Sequence, residues 1–104
     1  MKFLVIERHR ESLTRDVLKN VAPAMFAYLE KMNRLGKMQN WVLAGQAGGV
    51  MLLDVESNEE LAVILSSSPI YPYTTREIYP LWEPEKAKGM LDTLIKQMEE
   101  LEQR

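Results

Sequence analysis

Hydrophobic side chains recur along this chain in two rhythms, one suited to strands and one to helices. Lys2 to Glu7 carries Phe3, Leu4, Val5 and Ile6 in one block, rich in β-branched and aromatic residues, and reads as a short strand buried on both faces. Arg8 to Thr14 is polar and reads as a loop. The spacing then lengthens to three and four residues through Val17, Val21, Met25, Tyr28, Leu29 and Met32, the period of an amphipathic helix. Pro23 interrupts it. Because proline removes a hydrogen bond inside a helix, the main helix is expected to begin near Val21 or Ala22 and to stop at Gly36.

Met38 to Ala44 and Gly49 to Val55 read as two further strands, joined by a hairpin loop over Gly45 to Gly48. Ser57-Asn58-Glu59-Glu60 has the form of a capping box, in which the serine oxygen accepts an early backbone N–H and Glu60 reaches back. A short helix follows through Leu61, Ile64 and Leu65 and ends before Pro69. Tyr73 to Tyr79 reads as a fourth strand, with Pro72 and Pro80 at its ends, where a missing donor matters least. Pro84 opens a last helix over about 84–102, with Ala87, Leu91, Leu94, Met98 and Leu101 at alternating spacings of four and three. The order β-α-β-β-α-β plus a helix predicts an α+β fold: a ferredoxin-like antiparallel sheet with helices on one face, in a single domain spanning 1–104.

The two central strands break the usual rule for such a sheet. With one face against water, apolar and polar residues should alternate. Here Phe3 and Val5 oppose Leu4 and Ile6, and Val50 and Leu52 oppose Met51 and Leu53. Both faces need cover, which predicts a homodimer or larger homo-oligomer unless the last helix folds back over one of them.

Composition narrows the chemistry. Hydrophobic residues make up 46% and charged residues 27%, enough for one core without staples. The absence of cysteine excludes a disulfide framework, a thiolate metal site and a cysteine nucleophile, and one histidine cannot make a two-histidine site within a subunit. No metal site is expected. The formal net charge of −2, with no long basic run, excludes a broad nucleic-acid-binding face. The first apolar run is too short for a signal peptide or a membrane span, so a cytoplasmic protein without membrane contact is expected. The Gly45 to Gly49 segment has neither GxGxxG nor Walker spacing and leads into a strand, which excludes a phosphate cradle.

Few side chains remain that could move a proton. Histidine is the side-chain type that titrates near neutrality, and Glu7 lies two residues before His9, on the same face of an extended strand. In a ferredoxin-like sheet the first and fourth strands are neighbours, which brings Tyr73, Thr75, Glu77 and Tyr79 near that pair. Arg76 and Glu77 point to opposite faces, so one of the two shares it. Glu7 and His9 are therefore the candidate catalytic residues, with Tyr73, Tyr79 and Trp41 as candidate walls for a small apolar or aromatic-derived ligand. The competing reading makes His9 part of a solvated loop and the aromatics interface or core.

Several segments also resemble a known family. Gly48-Gly49-Val50-Met51-Leu52-Leu53-Asp54-Val55-Glu56-Ser57, Glu60-Leu61, Ser68-Pro69-Ile70-Tyr71-Pro72-Tyr73 and Glu77-Ile78 are similar to the muconolactone isomerase family, within the dimeric α+β barrel superfamily. The resemblance covers about residues 1 to 82, with Pro23-Ala24 and Tyr28-Leu29 as weaker matches. It implies sheet-to-sheet dimers and a cofactor-free proton transfer within an unsaturated lactone, in the breakdown of aromatic compounds. A non-catalytic oligomeric binding module and a cofactor-independent oxygenase of the same superfamily are the alternatives.

Overall fold

β1 (Lys2–His9) lies between β3 (Gly48–Asp54) and β4 (Thr74–Leu81), and β2 (Met38–Val42) completes an antiparallel sheet in the order β2-β3-β1-β4. With α1 (Arg15–Arg34) and α2 (Asn58–Ser66), this is the ferredoxin-like α+β arrangement that the element order predicts. The computed structural model describes residues 1–103. Phe3, Val5, Met51, Leu53 and Met38 project from one face of the sheet into a core with Leu61, Ile64 and Leu65 of α2. Tyr28, Leu29 and Met32 of α1 pack against that core. Leu4, Ile6, Val50 and Leu52 project from the other face and are only half-buried.

Four local expectations are corrected. His9 belongs to the strand, paired with Thr74, because antiparallel pairing continues past the apolar block. α1 starts at Arg15, not near Val21: the Val17 N–H donates to Thr14 Oγ1 at 3.3 Å, and Asp16 sits in the positively polarised first turn. Pro23 is tolerated inside this helix on its exposed side, where the carbonyl it leaves unpaired meets water. At α2, Ser57 Oγ accepts from the Glu60 N–H at 3.1 Å, but the Glu60 carboxylate turns to Lys37 at 2.8 Å instead of reaching back. Tyr73 closes a 3-10 turn (Tyr71–Tyr73), and β4 starts after it and runs on through Pro80, which an edge strand accommodates.

α3 (Pro84–Glu102) forms over the predicted span and then departs from the body. All of its residues are exposed, and the molecule measures 62 × 29 × 24 Å in consequence. The helix covers neither sheet face, so the intramolecular cover left open by the sequence is not realised. Among the described residues, no helix is long and apolar enough to cross a membrane.

Candidate active site

α1 stands off the β1–β3–β2 end of the sheet and leaves a cleft of about 330 Å³ beneath it. Leu18, Ala22, Met25, Phe26 and Leu29 of α1 form the roof. Asn40, Trp41 and Val42 of β2, with Gly48, Gly49 and Met51 of β3, form one wall, and Ile70 closes the inner end. Glu7 and His9 enter from β1. Gly48 is required where it stands: a Cβ there would collide with the Glu7 carbonyl oxygen, so its absence lets β3 approach β1 beside the carboxylate. Phe26 and Val42, at 71% and 83% exposure, leave the cleft open on its outer side.

Among the described residues, Glu7 is the one charged residue whose side chain is buried, at 6% exposure. Burial raises its pKa above the ordinary carboxylate value of 4.5, against the opposing pull of Arg76, Thr74 and His9. Arg76 sits opposite Glu7 in the β1–β4 register, with Nε 3.8 Å from Glu7 Oε2, an ion pair without a direct hydrogen bond. The rest of its guanidinium is anchored elsewhere. Nη2 donates to the Tyr71 carbonyl at 2.9 Å and to Thr74 Oγ1 at 2.8 Å, and the group lies 4.1 Å over the Tyr71 ring. The cation is thus held short of full contact, and desolvation prevails over its attraction. Tyr28, pushed up to about 12 by burial and then by the Glu7 charge, stays neutral while its hydroxyl donates to the Ile64 carbonyl at 2.5 Å. It ties α1 to α2 and is a poor proton donor at neutral pH.

Glu7 and His9 meet at this cleft. Trp41 borders it, but its pairing with Val50 turns the indole to the opposite face of the sheet, and Asn40 and Val42 take the inward positions of β2. Tyr73 and Tyr79 do not line it. Tyr79 stands on the far face of the sheet with Glu77 and Arg8, where its hydroxyl donates to Glu77, and the residue that shares the Glu7 face is Arg76. Asn40 escaped the sequence reading. Its Oδ1 accepts from Asn33 Nδ2 at 3.0 Å, which leaves its own NH2 group to donate elsewhere. An alternating strand with a polar residue at the inward position was the available signal. No group of three or more metal-ligating side chains occurs among the described residues.

Residues 1–86 match the family model for muconolactone delta-isomerase. The muconolactone Delta-isomerase of Acinetobacter baylyi is 37% identical over 71 residues, 67% of this chain and 74% of that protein. The enzyme of the same name from Rhodococcus opacus is 41% identical over 56 residues, 53% of this chain and 60% of its own length. The crystal structure of a muconolactone isomerase is similar with a TM-score of 0.70 at 23% identity, covering 81% of this chain and 92% of that one. A 5-chloro-2-hydroxyhydroquinone dehydrochlorinase from Burkholderia phenoliruptrix, solved with 2,5-dihydroxybenzoquinone, gives 0.67 at 18% identity, covering 83% and 98%. These two likenesses concern the fold.

Proposed function

The chain belongs to the muconolactone delta-isomerase family, and from that premise we propose that it is a cofactor-free isomerase moving a proton within a small lactone derived from an aromatic compound. The observation that carries the reading is the Glu7 carboxylate, buried in a mostly apolar cleft with its pKa raised by that burial. In this mechanism Glu7 removes a proton from the saturated ring carbon conjugated with the lactone carbonyl through the double bond. The negative charge passes to the carbonyl oxygen, where His9 and the NH2 group of Asn40 are among the cleft donors that can hold it. The protonated Glu7 then returns the proton at the carbon next to the carbonyl, so the double bond moves and nothing is consumed. Apolar walls from Val42, Met25 and Phe26 suit a flat, weakly polar ring.

Muconolactone is the first substrate to test, by following the absorbance change as its double bond migrates. Glu7→Gln should lower turnover by about 10²–10⁴-fold, the usual contribution of a general base. Equal turnover by the parent and this variant would remove Glu7 from the role.

The proposal includes a cytoplasmic homo-oligomer. It is supported by the bare sheet face, where half-buried Leu4, Ile6, Val50 and Leu52 lie beside exposed Trp41, Tyr79 and Leu81. A second copy packed face to face would cover these residues.

A further inference from the structure

We propose that α3 is an assembly arm, through which two copies of the chain pair as antiparallel helices about a twofold axis near Ile95. The family match stops at residue 86, in the first turn of α3, so nearly all of the helix lies beyond the matched segment. A helix of this length with no neighbour is marginal in water. Yet α3 is exposed throughout, and its sequence is built for a partner. Ala87, Leu91, Leu94, Met98 and Leu101 follow the strict four-three spacing of a and d positions, while Lys86, Asp92, Lys96 and Glu99 occupy the opposite side.

The charges beside the seam select the occupant. Lys88 and Glu102 both fall at e positions and stand equally far before and after Ile95. Antiparallel self-pairing centred there brings Lys88 to the partner's Glu102 twice over, once at each end. It also stacks Leu94 on the partner's Met98 and Leu91 on the partner's Leu101, and opposes the helix dipoles. In a parallel pair Lys88 would need the partner's Glu83, but Glu83 is bound to Lys2 at 3.0 Å. A second copy in antiparallel orientation satisfies the seam and its flanks together. This surface is separate from the bare sheet face and from the cleft.

Sedimentation equilibrium over a concentration series tests the proposal, with full-length chains throughout. Leu91 and Leu94 are 57% and 47% exposed, so Leu91→Glu/Leu94→Glu leaves the body intact. That variant should form a smaller assembly, or dissociate at concentrations about tenfold higher or more. Lys88→Glu and Glu102→Lys should each weaken association, and the double exchange Lys88→Glu/Glu102→Lys should restore it. Identical mass curves for the parent and Leu91→Glu/Leu94→Glu overturn the arm. Weakening by the single charge variants without restoration in the double overturns antiparallel self-pairing and points to docking of α3 on the body of the partner.

Discussion

Between Glu7 and Arg76 the protein holds a carboxylate and a guanidinium close without letting them touch, and two predictions follow from that spacing. Arg76 lowers the Glu7 pKa while burial raises it. Arg76→Met, which keeps bulk but removes charge, should therefore move the acid limb of the kcat/KM profile to higher pH. Arg76→Lys should move it less, and an unmoved limb in both would show that Arg76 does not tune the base. Stability should follow the same group. A carboxyl whose folded pKa is raised contributes most below the ordinary value of 4.5, and that contribution is lost as pH climbs through the folded value. The melting-temperature difference between Glu7→Gln and the parent should thus shift in favour of the variant as pH rises through this window. A difference independent of pH would contradict the assignment. Strand parity made the Glu7–His9 alignment readable in the sequence. The same parity could not say whether Arg76 or Glu77 joined them, because the β1–β4 register decides it and a slip of one residue exchanges the faces.

At the scale of elements, what could be read depended on whether the signals agreed. α3 was legible at both ends because Pro84 marks its start and the four-three spacing is unbroken to Leu101. α1 was not, since Pro23 argued against the helix that Thr14, Asp16 and the apolar spacing argued for. A proline on the exposed side loses that contest. It follows that Pro23→Ala should stabilise the fold, by up to about 3 kcal/mol if the recovered hydrogen bond and relieved clash are fully realised. Thermal denaturation measures this directly, and a lower melting temperature would mean that Pro23 shapes α1 over the cleft in a way the body requires. The cleft itself was hidden from sequence. It exists because α1 stands off one end of the sheet, a matter of packing between distant segments, and no periodicity reports that distance.

For the whole molecule, two exposed apolar surfaces stand out away from the cleft, the sheet face and the α3 seam, and each calls for its own partner surface. Leu4, Ile6, Val50 and Leu52 were recognisable from the failed alternation of two strands, and the projecting helix leaves them without intramolecular cover. Fully burying side chains of this kind contributes about 1.5–3 kcal/mol each, so the face as a whole rivals the stability of a small domain. A lysine at its centre should break a sheet-to-sheet dimer without touching the core, because Leu52 points away from the helices while its neighbours Met51 and Leu53 point toward them. Leu52→Lys should therefore reduce the assembly to whatever the helices alone can hold. Combined with Leu91→Glu/Leu94→Glu, it should give a folded species near the chain mass of 12.0 kDa. Far-ultraviolet circular dichroism checks that the fold survives, and sedimentation gives the mass. A folded triple variant that still sediments as an oligomer would mean that the copies meet through a surface other than these two.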